Sequence, residues 1–189
     1  MRIAVLGGTF NPVHIGHLYL ASEVKWRFSY DLVLFIPASI PVHKETDQLA
    51  AADHRVNMLE RALSGTEFTM DDCEIRRGGN SYTIDTVDYI EKKRQVEGKI
   101  GIVIGDDLLA GFPRWKQAET LADRTDLIVV HRETAERSEF PYPHRYCDNL
   151  LMPVSSRDIR ERISDGRPYR FLVPEKVYAY IEETGLYRS

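Results

Sequence analysis

Cysteine is scarce in this chain: Cys73 and Cys147 are the only two among 189 residues, and they stand far apart. That excludes a disulfide scaffold and fits a reduced, cytoplasmic protein. Long apolar runs are also missing. The first one meets Gly7 and Gly8 after four residues, too short for a signal peptide, and none approaches the ~20 residues of a membrane-spanning helix. Nor is there an excess of positive charge. The 25 Lys and Arg against 29 Asp and Glu leave a net charge of −4, which argues against a nucleic-acid partner and for a small molecule. Two phosphate-binding patterns are absent as well. No G-x-G-x-x-G follows a strand and no G-x-x-x-x-G-K-[ST] occurs anywhere, which counts against hydride transfer and P-loop hydrolysis.

What is present is a regular alternation of apolar runs and helical patterns. Runs at residues 3–6, 32–36, 67–73, 100–104 and 126–130 read as strands. Residues 14–28, 53–63, 115–121, a stretch from Ser81 and the closing 174–187 read as helices. In the first of these Leu18, Ala21, Val24 and Phe28 share a face, and in the stretch from Ser81, Ile84, Val87 and Ile90 do so. With 43% hydrophobic residues and no repeat, the length supports one core, so a single domain over 1–189 is expected. The βαβ series predicts an α/β fold: a Rossmann-like, doubly wound, mostly parallel sheet with helices on both faces and a small C-terminal helical segment. The polar segment 133–143 reads as a surface loop.

Ligands of such sheets bind beyond the carboxyl ends of the strands. The first of these ends carries GGTFNPVHIGH at residues 7–17. A strand feeding a helix through glycines brings N–H groups and a positive helix end to an anion. His14 and His17, three apart at the helix start, put both rings on nearly one side of the first turn. They could donate to phosphate oxygens; they could equally cap the helix and pack. A zinc site would need a third ligand that the segment lacks.

This string resembles the first signature of the HIGH-type nucleotidyltransferase superfamily. The class I aminoacyl-tRNA synthetase branch would need greater length and a KMSKS-type signature, neither of which is present. Five later segments are similar to elements of the nicotinate mononucleotide adenylyltransferase family. PASIPVHK at residues 37–44 is a proline-stiffened loop ending in two potential cations, and it resembles the family's P-x-x-x-P-P-H-K. SYTIDT at residues 81–86 places Ser81 as a possible N-cap and resembles S-Y-T-x-D-T. IVIGDD at residues 102–107, followed by FPRW at 112–115, matches a strand end with a ribose-binding acid and an aromatic ring. VSSRDIR at residues 154–160 has the spacing of a capping box, which explains the serines. It does not explain Arg157 and Arg160 where the helix dipole disfavours cations. It resembles I-S-S-T-x-I-R, with Arg157 in place of Thr.

The resemblance covers nearly the whole chain. It implies transfer of the adenylyl group of ATP to nicotinate mononucleotide, giving deamido-NAD and pyrophosphate, by direct in-line attack without an enzyme nucleophile. The residues it implies for the reacting phosphates are His17, His14 and Arg160. For ATP it adds Gly8, Thr9, Phe10, Gly105, Asp107, Ser155 and Ser156, with Asp107 preferred to Asp106 for the ribose. For the mononucleotide it implies Ser39, His43, Lys44, Tyr82, Thr83 and Trp115. Mg2+ is expected to travel with ATP, since no acidic cluster suggests a dedicated metal site. A homo-oligomer is left open. Two other readings stay in play: another small adenylyltransferase using nicotinamide mononucleotide or phosphopantetheine, and a non-catalytic nucleotide-sensing module.

Overall fold

The computed structural model describes residues 1–41 and 49–188. In chain order the elements are β1 (Ile3–Gly8), α1 (Ile15–Phe28), β2 (Leu32–Pro37), β3 (Ile40–Pro41), α2 (Ala52–Leu63), β4 (Thr69–Met70) and α3 (Cys73–Arg77). They continue with β5 (Asn80–Ser81), α4 (Thr83–Lys93), β6 (Ile100–Gly105), α5 (Ala118–Arg124), β7 (Thr125–Val130), β8 (His144–Tyr146), α6 (Ser156–Ser164) and α7 (Glu175–Thr184). Six strands form one sheet in the order β4-β2-β1-β6-β7-β8. Every described pairing in it is parallel. β3 and β5 make a separate two-stranded ribbon.

The alternation of side chains along each strand divides the core in two. Ala4, Leu6, Val33, Phe35, Ile128 and Val130 face one layer, where α1, α2, α6 and α7 contribute Val24, Met58, Ile159 and Val177. Ile3, Val5, Leu34, Ile36, Ile102 and Leu127 face the other, covered by α4 and α5 through Ile84, Val87, Ile90 and Leu121. Burial on both faces is why the strands read as unbroken apolar runs. The last two helices share the core layer of α1, so the C-terminal segment packs on the sheet and does not stand apart. No helix among the described residues is long and apolar enough to cross a membrane.

Several local expectations are corrected. β1 does not stop at the glycines, since Gly7 and Gly8 pair in register with Ile36 and Pro37. Residues 67–73 are not one strand: Thr69 and Met70 alone pair with β2, and Cys73 opens α3. The helix expected at 115–121 starts later, at Ala118, and runs to Arg124 as α5; a 3-10 segment over Asp106–Arg114, with Trp115 as its C-cap, precedes it. Gln117 at φ 54 is the N-cap of α5. On α1 Ala21 and Val24 are buried as expected, but Leu20 joins them while Leu18 and Phe28 are only half-buried. Tyr82 takes the N-cap position of α4, because the Ser81 hydroxyl is used elsewhere, accepting the Ser39 N–H at 2.8 Å. The short strand β8 had no periodic signal at all.

Candidate active site

β1 leads to β2 on one side and neighbours β6 on the other, so the direction of winding reverses between β1 and β6. The carboxyl ends of these two strands are Gly7-Gly8 and Gly105, and a cleft of about 480 Å³ opens there. Its walls come from three distant parts of the chain. The β1 end supplies Gly8, Thr9, Asn11 and His17; the start of α4 supplies Ser81 and Thr83 beside Trp115; the start of α6 supplies Ser155, Ser156, Arg157 and Arg160. A smaller cavity of about 180 Å³ adjoins it and shares His17, Leu20, Arg132 and Ser155. His14, Asp107, His131, Met152 and Val154 line this second space.

The histidine pair is set by the first turn of α1. His14 is the N-cap, in extended conformation, and is 3% exposed. Its backbone N–H donates to Nδ1 of His17 at 3.2 Å. A backbone N–H can only donate, so Nδ1 of His17 is the acceptor and the ring proton sits on Nε2. The two rings lie 3.7 Å apart between centroids. His17 is therefore held as a neutral donor at the junction of both cavities. Phe10 serves differently. Its ring is buried against His17 and Phe35, with centroids 5.0 and 5.6 Å away, and it lines neither cavity, so it supports the His17 ring from the core.

The start of α6 faces this pair. Ser155 caps the helix, its hydroxyl accepting the Asp158 N–H at 3.1 Å. The Ser156 hydroxyl donates to the Pro12 carbonyl at 2.8 Å, and Nη1 of Arg160 donates to the Asn11 carbonyl at 2.8 Å. These bonds join segments about 150 residues apart and bring both signatures to the walls of one cleft. Because the Ser156 proton is spent on Pro12 and the Asp158 N–H on Ser155, what α6 offers an anion is chiefly its positive end. Burial lowers the pKa of Arg160 from its ordinary value, and its Nε has no hydrogen-bond partner among the described residues. An incoming anion would relieve both conditions.

Of the two acids after β6, Asp106 is fully engaged. Its carboxylate accepts the N–H groups of Asp107, Arg132, Glu133 and Thr134 at 2.9–3.4 Å, which braces the loop after β7. Asp107 lines the smaller cavity, paired to Arg132 at 2.9 Å through Oδ2, while Oδ1 is buried with no hydrogen-bond partner among the described residues. Trp115 packs on Phe112, with ring centroids 5.1 Å apart, and still borders the cleft. The Tyr82 ring carries the Lys116 ammonium 4.8 Å from its centroid and lines neither cavity. Ser39 lines neither as well, though its N–H ties it to Ser81. His43 and Lys44 lie outside the described residues. No group of three His, Cys, Asp or Glu side chains arranged to hold a metal ion occurs among the described residues.

Arg132, which lines both cavities, and Arg55 were not singled out in the sequence. Arg55 on α2 is 1% exposed. Its guanidinium donates to the carbonyls of Thr9, Ala38, Ser39 and Ala50 at 2.7–3.3 Å, so it clamps the loop after β1 to the loop after β2. Its one sequence signal is an arginine at the inward position between Ala52 and Met58, easily mistaken for a solvated charge.

A parallel, doubly wound sheet with a histidine pair and a serine–arginine helix start facing each other across the switch point defines a nucleotide-site α/β protein. A family profile described as cytidylyltransferase-like matches residues 5–162. A "Probable nicotinate-nucleotide adenylyltransferase" of Borreliella afzelii (strain PKo) is 43% identical over 188 residues, covering 99% of this chain and 97% of the relative. The nicotinate-nucleotide adenylyltransferase of Bacillus subtilis (strain 168) is 38% identical over 189 residues, covering 100% and 99%. The chain belongs to the cytidylyltransferase-like family and, within these relatives, to the nicotinate-nucleotide adenylyltransferases. Among solved structures, Plasmodium falciparum nicotinic acid mononucleotide adenylyltransferase complexed with NaAD superimposes with a TM-score of 0.80, covering 98% of this chain and 97% of that one. At 17% identity that likeness is one of fold.

Proposed function

We propose that the chain transfers the adenylyl group of ATP to nicotinate mononucleotide, forming deamido-NAD and pyrophosphate as a step of NAD biosynthesis. The observation that carries this reading is a cleft lined by two chemically different sets of groups. One set comprises His17, Thr9 and the α6 start; the other comprises Thr83, at a helix N-terminus, and Trp115. The first suits a polyphosphate, and the second suits a flat ring bearing a carboxylate.

In this reading the mononucleotide's 5′-phosphate, already an anion at neutral pH, attacks the α-phosphorus of ATP. A new P–O bond forms as the bond to the β-phosphate oxygen breaks, and the electron pair leaves with pyrophosphate. No enzyme nucleophile is needed, so catalysis consists of alignment and charge stabilisation. His17 through Nε2–H, His14, Arg160, Thr9 and the α6 first turn hold the phosphates. Gly8 and Gly105 let the backbone approach, Asp107 takes the ribose, and Trp115 stacks on the pyridine. Lys44 and His43 are assigned to the mononucleotide's side. Mg2+ is proposed to arrive with ATP, where it offsets charge on the leaving pyrophosphate. A cytoplasmic setting accords with the free, buried thiols of Cys73 and Cys147.

The test is pyrophosphate release from purified protein given ATP and Mg2+ with nicotinate mononucleotide, and in parallel with nicotinamide mononucleotide. Turnover with the acid at a higher kcat/KM than with the amide is expected. No release with either would overturn the reading, and preference for the amide would move the assignment to another pyridine nucleotide.

A further inference from the structure

The main chain at Asn11 and Pro12 is the joint on which the cradle depends. Both of its carbonyls hold α6, through Arg160 and Ser156, and two residues later His14 caps α1. A shift of this joint moves the histidine pair and the α6 start relative to each other. The Asn11 side chain, in a residue 4% exposed, is itself held by two donors. One is the Ala50 N–H at 3.1 Å. The other is the phenol of Tyr187 at 2.8 Å, 176 residues away.

Three features show that Tyr187 is placed for this contact. Its backbone has φ 66, left-handed and costly for a bulky aromatic residue, which persists only where the surroundings hold it. Gly185, at φ 67, ends α7 two residues earlier and turns the chain back. The ring packs on the core layer shared by α1, α2 and α6, and burial pushes the phenol's pKa up, so the hydroxyl remains a donor across the ordinary pH range.

We infer that Tyr187 is a positioning residue for adenylyl transfer: by donating to Asn11 it fixes the joint that aligns the histidine pair with the α6 end of the phosphate cradle. The inference rests on the proposed placement of the triphosphate between those two elements. Tyr187 itself lines neither cavity.

A double-mutant cycle tests it, with Tyr187→Phe, Asn11→Ala and the combined variant. Tyr187→Phe deletes one hydroxyl from a ring that keeps its packing. The expected result is a fall in kcat of roughly three- to tenfold, the span of one neutral hydrogen bond, with the KM for ATP changed less than about twofold. In the Asn11→Ala background the same substitution should add less than about twofold, because the acceptor is already gone. A kcat for Tyr187→Phe within about twofold of wild type, with only the Tm lowered, would make the contact merely structural and overturn the inference. So would a full effect persisting without Asn11. If the wild type releases no pyrophosphate, the adenylyl-transfer reading fails by itself. The same cycle is then read on the affinity for inorganic pyrophosphate, where threefold or greater weakening that vanishes in the Asn11→Ala background supports the positioning role and its absence refutes it.

Discussion

Replacing Arg55 by methionine keeps an unbranched side chain inside α2 while removing the guanidinium that joins four carbonyls. Two of its bonds are short, to Ala38 at 2.7 Å and to Thr9 at 3.0 Å. Hydrogen bonds to a charged donor contribute about 1.5–3 kcal/mol each, so these two account for about 3–6 kcal/mol. Against this stands the cost of keeping a guanidinium out of water, which burial makes visible as a lowered pKa and which the methionine no longer incurs. A net loss of about 2–4 kcal/mol is expected, or a Tm lower by about 4–16 °C for a domain of this size. Arg55→Lys should recover little, because an ammonium cannot span carbonyls on three sides. Thermal unfolding followed by circular dichroism measures the first effect. Pyrophosphate release at 25 °C, where the variant remains folded, measures the second: kcat/KM should fall at least about tenfold for both substrates, since Thr9 and Ala38, which Arg55 holds together, both line the cleft. A Tm within about 2 °C of wild type would refute the clamp. A lowered Tm with wild-type kcat/KM would confine Arg55 to stability.

His17→Ala should lower kcat on the order of 10²-fold or more, the usual effect of removing one preorganised donor, and near-normal turnover would remove His17 from the reacting phosphates. Trp115→Ala should raise the KM for the mononucleotide roughly two- to tenfold and that for ATP less; equal rises would make the ring part of the core around Phe112. Burial pushes the thiols of Cys73 and Cys147 up from 9.0 to about 12, and the Tyr30 phenol up from 10.0 to about 12. The unfolded chain therefore releases these protons first, and stability should decline as pH rises from about 9 toward 12, with no contribution from these groups below 9. Urea midpoints that stay constant between pH 8 and 10.5 would contradict this.

The parallel sheet was legible because strands buried on both faces must be apolar throughout, and the stretches at residues 3–6, 32–36, 100–104 and 127–130 carry no polar side chain. The set of groups assigned to the phosphates was legible for a related reason. Glycines at a strand end followed by histidines three apart, and far along the chain a serine cap followed by arginines, are local requirements, each written within a few residues. Where a run was short or interrupted, as at residues 67–73 or 115–121, the outcome depended on what the neighbouring chain offered for pairing. Thr69 and Met70 alone found β2, and Trp115 ended a 3-10 segment that no periodicity announced.

The sequence by itself determined the class of fold, the two signatures and the acids after β6, since each follows from local pattern or from chemistry carried by adjacent residues. Only the tertiary structure decided which groups are free to act. It spent Asp106 on four backbone N–H groups and the Ser156 proton on Pro12. It turned Phe10 into the core, and brought Arg55 and Tyr187 to the two joints of the cleft. Those decisions are made by hydrogen bonds between residues tens to nearly two hundred positions apart, and a bond of that kind has no period, spacing or composition from which a linear chain could disclose it.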